Sequence, residues 1–211
     1  MGAGMAEVQA VVFDIGNVLI EWNPERFYDA RIGTARREML FREVDLNAVN
    51  LEVDRGADQH TEIEALARAH PNWANEIRWW RDDWLKMASP AIDHSVRLLR
   101  ALQRRQIPIF ALSNFGVAPF EIAEAAYPFL NEFDQRWISG HMGVIKPEPN
   151  IYKTLEAESE VTPERLLFTD DRPENIEAAQ ARGWQTHLFD GATGLAQCLI
   201  HHELLTTSEA Q

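Results

Sequence analysis

The chain carries one cysteine, Cys198, in 211 residues. A single thiol excludes an internal disulfide and any metal site built from several cysteines. It fits a reducing compartment, so the cytoplasm is the expected location. Its setting, LAQCLIHHEL, implies a small apolar residue on a C-terminal helix. No apolar run approaches the roughly 20 residues that span a bilayer. The opening MGAGMAEVQA lacks the basic stretch and apolar block of a secretory leader. Gly2 invites an acylation reading, but Ala6 stands where serine or threonine is wanted. Positive charge is scarce, with 20 Lys and Arg against 33 Asp and Glu, a net charge of −13. Such a surface repels nucleic acid and anionic lipid, so neither is expected as a partner. An anionic small molecule would need a local positive feature, either a metal ion or a placed lysine. Internal repeats and an interface stripe are also missing, which leaves a monomer or a homodimer.

What remains is globular composition, 45% hydrophobic and 25% charged, in a chain long enough for a core plus a small inserted module. Four apolar stretches read as buried strands: Val8–Asp14, Ile107–Ser113, Leu166–Asp170 and Trp184–Phe189. Arg136–Ser139 is a weaker fifth. Continuous rather than alternating apolarity predicts that helices cover both sheet faces. Helical patterns lie between: Ser95–Arg105 with Val96, Leu99 and Leu102 on one face, Phe120–Ala126, Ile151–Ala157, and Glu174–Arg182 stopping at Gly183. Thr162-Pro163 resembles a capped turn with proline first. The alternation predicts an α/β fold, an open parallel sheet in a three-layer sandwich.

Roughly 90 residues separate the first strand from the second, too many for one crossover. The insertion, Glu21 to Ser89, reads as all-helical. Thr61 and Glu64 suggest a capping box before Ile63, Leu66 and Ala67, and Ile77, Trp80 and Trp84 recur at helical spacing. The expected division is therefore residues 1–20 and 90–211 as core and 21–89 as a helical cap. The tail after Leu205 is expected to fray.

In a parallel α/β sheet, ligands bind at the carboxyl ends of strands. Polar residues stand at three such ends: Asp14, Ser113-Asn114 and Asp170-Asp171. Carboxylates gathered at one mouth repel each other unless a cation sits between them. Oxygen-only ligands favour a hard ion such as magnesium. Lys146, stiffened by Pro147 and Pro149, offsets negative charge on a carboxylate and on an anionic ligand alike. Asp170 and Asp171 also suit a plain helix cap.

The succession FDIGNVL, ALSNF, GVIKPEPNIY and FTDDRPENIEAA resembles the haloacid dehalogenase superfamily, in the branch with a helical cap after the first strand. The resemblance covers nearly the whole chain. It implies that Asp14 is a nucleophile forming an aspartyl-phosphate, that Ser113 and the Asn114 backbone bind phosphoryl oxygens, and that Lys146 stabilises their charge. It further implies magnesium held by Asp14, the Gly16 carbonyl and Asp171, with Asp170 or Asn175 nearby. One position departs from the family pattern. Most phosphatases of the family carry a second aspartate two residues after the nucleophile, as acid and base; here that residue is Gly16. The same glycine occurs in a subgroup that includes α-D-glucose 1-phosphate phosphatase. The expected function is a magnesium-dependent phosphatase for a small phosphate monoester such as a sugar phosphate. A catalytically weak phosphate-binding module and a metal-independent 2-haloacid dehalogenase are the alternatives. Trp79, Trp80 and Trp84 are read as packed cap interior, with an aromatic wall above the substrate as the alternative. Trp22 is read as packing, with the pocket lining as its alternative, and His141 as the one histidine near the site.

Overall fold

In the computed structural model, residues 6–211 are described, so the Gly2 reading lies outside the described residues. A five-stranded sheet runs in the order β5-β4-β1-β6-β7, with every pairing parallel. Its strands are β1 (Ala10–Phe13), β4 (Ile109–Ser113), β5 (Gln135–Ile138), β6 (Leu166–Asp170) and β7 (Gln185–Leu188). All five expected strands are present, the weak fifth at Gln135–Ile138 included. β1 is buried at every position because each face has its own core. Val11 and Phe13 join one cluster with Ile109, Ala111 and Leu167. Ala10 and Val12 join the other with Phe110, Leu112 and Phe168. That is the three-layer sandwich.

The helices of the α/β body are α7 (Asp93–Arg104), α8 (Val117–Ala126), α9 (Ser139–Met142), α10 (Pro149–Ser159), α11 (Pro173–Gln180) and α12 (Ala192–His201). Gly183 has φ +88° just past α11, the left-handed backbone that glycine adopts without a Cβ penalty. Cys198 sits half-buried on α12, and burial pushes its thiol up to about 11. Thr162-Pro163 opens only a single 3-10 turn, Pro163–Arg165.

The insertion holds six helices: α1 (Pro24–Ile32), α2 (Thr34–Glu43), α3 (Leu46–Asp54), α4 (Gln59–Ala69), α5 (Ala74–Asp82) and α6 (Trp84–Met87). It is not wholly helical. Its two ends pair as an antiparallel ribbon, β2 (Ile20–Trp22) with β3 (Ala88–Ala91), so the expected boundaries at 20/21 and 89/90 fall inside these strands. Both are too short to show a period of two, and Pro90 reads as a strand breaker. The cap of α4 also differs from expectation. Asp58 is the N-cap, accepting from the Thr61 backbone N–H at 2.8 Å and from its hydroxyl at 2.6 Å. Glu64 instead pairs with Arg78 and Arg81. The helix begins a turn earlier because a carboxylate already stands there to cap it.

The C-terminal tail is docked rather than frayed. Glu209 pairs with Arg105 and accepts from the Thr206 backbone N–H and hydroxyl. His94 Nε2 lies 2.9 Å from the Ala210 carbonyl, and Ala210 itself is buried. Local capping and long-range contacts to Arg105 and His94 hold a tail whose polar composition does not advertise them. No helix among the described residues is long and apolar enough to cross a membrane.

Phe168 ties the second core to the site above it. Its ring meets Tyr152 and Trp184 edge-on, and the Lys146 ammonium stands 5.4 Å from its centroid. Phe168→Ala should therefore lower unfolding free energy by about 3–5 kcal/mol, measured by urea denaturation.

Candidate active site

The sheet order places β1 in the centre, with the chain first building outward through β4 and β5 and then crossing to β6 and β7. This reversal leaves a crevice beyond the carboxyl ends of β1, β4 and β6, the place where such sheets bind ligands. Asp14 follows β1, Ser113 ends β4, and Asp170 ends β6. A cavity of about 670 Å³ opens there, roofed by cap residues including Asn50, Asp54 and Trp84.

Asp14 is nearly buried, at 6% exposure. One oxygen, Oδ1, accepts from the Ile15 N–H at 2.7 Å and the Ser113 hydroxyl at 2.7 Å. The Lys146 ammonium is 3.0 Å from the same atom. Oδ2 meets no donor among the described residues. Lys146, 3% exposed, also donates to Asp170 Oδ2 at 2.6 Å. Its backbone is clamped by the Asn114 side chain, which accepts from the Lys146 N–H at 2.7 Å and donates to its carbonyl at 2.9 Å. Asn114 is thus a positioning group for the lysine through its side chain, a role the sequence did not suggest.

Asp170 is fully buried. Asn175 Nδ2 bridges both its oxygens at 3.0 Å, and the Arg172 N–H donates at 2.8 Å. Asn175 is therefore a neighbour that orients Asp170. Asp171 is less enclosed and accepts from Asn17 Nδ2 at 2.9 Å. Asn17 holds a left-handed backbone, φ +56°, which asparagine tolerates better than most residues. Its Oδ1 accepts from the Trp22 N–H at 2.9 Å, so both ends of the side chain are engaged.

Asp14, Asp170 and Asp171 bring carboxylate oxygens within 4.8 Å of one another. One ammonium faces three carboxylates, and the titration behaviour follows. Burial pushes the Asp14 carboxyl up to about 7; Lys146 opposes this, Asp170 adds to it, and Ser113 opposes it. Burial also raises Asp171, with Asn17 opposing and Asp170 contributing. For Lys146, desolvation pulls downward but Asp14 and Asp170 outweigh it, so the ammonium is held above its usual range. The lysine stays charged, and three carboxyl groups share that one ammonium. All three donors are hard oxygens, which fits a hard divalent cation.

The structure brings together Asp14, Gly16, Ser113, Asn114, Lys146 and Asp171 around one cavity, with Asp170 against Lys146 behind it. It does not bring His141 there: that side chain is exposed and its ring meets Phe120. The tryptophans divide. Trp80 and Trp79 pack inside the cap against Tyr28, whereas Trp84 and Trp22 line the cavity with ring centroids 5.8 Å apart. The packing reading holds for both, since Trp84 belongs to the core cluster and Trp22 packs against it, but each also gives part of its surface to the crevice, as the alternative reading expects. Asp54 is one of several cavity residues that sequence reasoning missed, with Asn47, Asn50 and Arg172. Its only signal is Gly56 two places on, a turn residue with φ +103°.

Residues 8–183 match the sequence profile of the haloacid dehalogenase-like hydrolases. D-ribitol-5-phosphate phosphatase from Bacteroides thetaiotaomicron is 23% identical over 193 residues, covering 85% of this chain and 90% of that protein. Drimenol cyclase from Aspergillus calidoustus is 24% identical over 187 residues, 86% of this chain. The aligned part is 34% of the cyclase, so the chain spans about a third of that protein's length. Among solved structures, a predicted hydrolase of the family from Porphyromonas gingivalis superposes with a TM-score of 0.71 at 20% identity, over 95% of this chain and 100% of that one. A family enzyme from B. thetaiotaomicron, crystallised as a variant with magnesium and inorganic phosphate, gives 0.69 at 20% identity, over 87% and 95%. With the profile spanning the nucleophile strand, the cap and the acidic strand end, the chain belongs to the haloacid dehalogenase-like hydrolases.

Proposed function

We propose that the protein is a magnesium-dependent phosphatase that hydrolyses a small phosphate monoester, a sugar or polyol phosphate being the best fit, through covalent attack by Asp14. The observation that carries this reading is the Asp14 carboxylate itself. Ile15 N–H, the Ser113 hydroxyl and the Lys146 ammonium hold Oδ1, so the side chain is fixed, pre-aimed and set beside the acidic cluster.

Such preorganisation suits attack on phosphorus. As the ester bond to the departing oxygen breaks, a bond forms between an Asp14 oxygen and phosphorus, and charge spreads over the phosphoryl oxygens. Ser113 and Lys146 stand beside Asp14 to receive that charge without reorganising. Water then displaces Asp14 from phosphorus and phosphate leaves. Asp14, Asp171 and the Gly16 carbonyl would hold magnesium, with Asp170 close by; bound there, it supplies positive charge between the carboxylates and the phosphoryl group.

The cavity also suits one phosphate on a hydroxylated body. Its cationic side chains are Lys146 and Arg172, the first engaged by Asp14 and Asp170 and the second by Glu174. Among the described residues no further cationic side chain lines the cavity to receive a second anionic group. Asn47 and Asn50 offer hydrogen bonds while Trp22 and Trp84 offer apolar faces, a common way to grip a sugar or polyol. D-ribitol 5-phosphate, named for the relative above, is a monoester of this kind. A 2-haloacid is itself a carboxylate and would meet three more with one ammonium between them, which disfavours dehalogenation.

Asp14→Asn should abolish phosphate release from p-nitrophenyl phosphate while leaving the circular dichroism unchanged. A chelator should do the same to the native protein, reversed by magnesium. Lys146→Met should lower the rate by about 10²–10³-fold, as loss of one preorganised donor does. The carboxyl cluster has its own signature. The Asp14 carboxyl titrates near 7 in the fold but near 4 when unfolded. The folded state thus holds the proton more tightly, and metal-free stability falls as pH rises from about 4 to about 7. In chelator, Asp14→Asn should therefore raise the melting temperature at pH 7.5, by about 2–4 °C for each kcal/mol relieved, and raise it less at pH 5. Calorimetry at the two pH values checks this.

A further inference from the structure

Gly16 occupies the position where a second acid would stand, and its surroundings are open: a Cβ placed there meets no atom within 4 Å. Something else must move the proton if a poor leaving group is to depart, because an alkoxide expelled without a proton is a high-energy species. Five carboxyl residues line the cavity, Asp14, Glu21, Asp45, Asp54 and Asp171, and Asn17 stands beside Gly16. Asn17 is engaged at both ends, by Asp171 and the Trp22 backbone. Glu21 pairs with Arg26 in solvent. Asp45 caps α3 through the Ala48 N–H at 2.9 Å. Asp14 and Asp171 belong to the nucleophile and the acidic cluster. Asp54 remains.

Asp54 ends α3, on the cap side of the cavity. It is held there by a built device. The Trp80 indole N–H donates to Asn50 Oδ1 at 3.1 Å, which turns the Asn50 amide so that Nδ2 donates to Asp54 Oδ2 at 3.0 Å. The loop after β4 also packs against this helix end, where a Cβ on Gly116 would lie 3.0 Å from the Val53 carbonyl oxygen. Its backbone is latched to the core as well. Ser139 Oγ donates to the Asp54 carbonyl at 2.6 Å and accepts from the Phe115 N–H at 2.8 Å. One residue on, Arg55 pairs with Glu148. Two on, Gly56 approaches so closely that a Cβ would lie 2.7 Å from the Gly140 carbonyl oxygen. A cap side chain is thus fixed over the core site through contacts with three separate core loops.

We propose that Asp54 performs the proton transfers that Gly16 cannot, an inference that rests on the phosphatase reading. As the P–O bond to the substrate alcohol breaks and the bond from Asp14 to phosphorus forms, the protonated Asp54 carboxyl gives its proton to the departing oxygen. The resulting carboxylate then takes a proton from the water whose oxygen attacks the aspartyl-phosphate. Asp14 leaves phosphorus with its electron pair, phosphate is released, and Asp54 is protonated again. The groups whose charge it feels are Asp14, Lys146 and Arg172 from the core, while the neutral Asn50 amide on its own helix donates a hydrogen bond to it. Burial raises the Asp54 carboxyl to about 7, Gly116 opposing and Asp14 adding. A carboxyl with that affinity holds and returns a proton near neutral pH.

The test is pre-steady-state kinetics of the wild type and Asp54→Asn, with magnesium, on p-nitrophenyl phosphate and glycerol 1-phosphate. Nitrophenolate departs without a proton, whereas the glycerol alkoxide does not. Asp54→Asn should therefore keep a stoichiometric nitrophenol burst at near wild-type rate, followed by a steady phase about 10²-fold slower or more. On glycerol 1-phosphate its single-turnover rate should fall by a similar factor. Burst and steady phases come from the same sample, so their ratio does not depend on the folded fraction. Adding Gly16→Asp to Asp54→Asn should restore the steady phase, since the added side chain has open space. A wild-type steady rate in Asp54→Asn, or a burst that slows in step with the steady phase, overturns the inference while the phosphatase reading stands. No nitrophenol release by the wild type overturns both.

Discussion

A buried ammonium shared between two carboxylates organises this molecule. Lys146 lies within 3.0 Å of Asp14 and 2.6 Å of Asp170, at the ends of two different strands, with its own backbone clamped by Asn114 at the end of a third. Charges in a low-dielectric interior tolerate little displacement, because losing a partner leaves an uncompensated ion. The three strand ends are therefore held in register by electrostatics as much as by the sheet ladder. The same arrangement sets three carboxyl groups, Asp14, Asp170 and Asp171, against one ammonium, a donor set that suits a hard cation.

The cap completes the site instead of merely covering it. Its interior packs around Tyr28, whose hydroxyl donates to the Glu76 carbonyl at 2.8 Å, and around Trp80, whose indole edge starts the hydrogen-bond chain to Asp54. The aromatic core of a small helical module thereby fixes the geometry of a polar group at its rim. The β2–β3 ribbon joins the module to the body immediately after Asn17, which reaches to Asp171 on one side and to the start of the cap on the other. Packing in the cap and charge placement in the core are mechanically one system.

Much of the body was legible from residue order. β1, β4 and β6 are runs without polar interruption, and such runs are buried on both faces by necessity. Asp14 and Asp170-Asp171 announce themselves because a carboxylate ending such a run needs a partner. Other features were hidden because their signal is shared with commoner structures. Asp58 outcompeted Thr61 as a cap through proximity to the helix start. β2 and β3 are shorter than any reliable alternation. The tail holds through Glu209 and Arg105, a pair distant in sequence.

By itself the sequence determined the layered α/β body, the inserted cap and the set of strand-end side chains, since burial and backbone hydrogen bonding leave few alternatives for those patterns. It also placed Gly16 two residues after Asp14, a departure visible only against the family pattern that the motifs resemble. Only the tertiary structure decided that Asn114 serves through its side chain, that Trp22 and Trp84 face the cavity, and that Asp54 lines the same cavity as Asp14. Those outcomes depend on which helix face meets which loop across the cap–core junction, a choice made by packing and by latches such as Ser139 to Asp54 that no local pattern encodes.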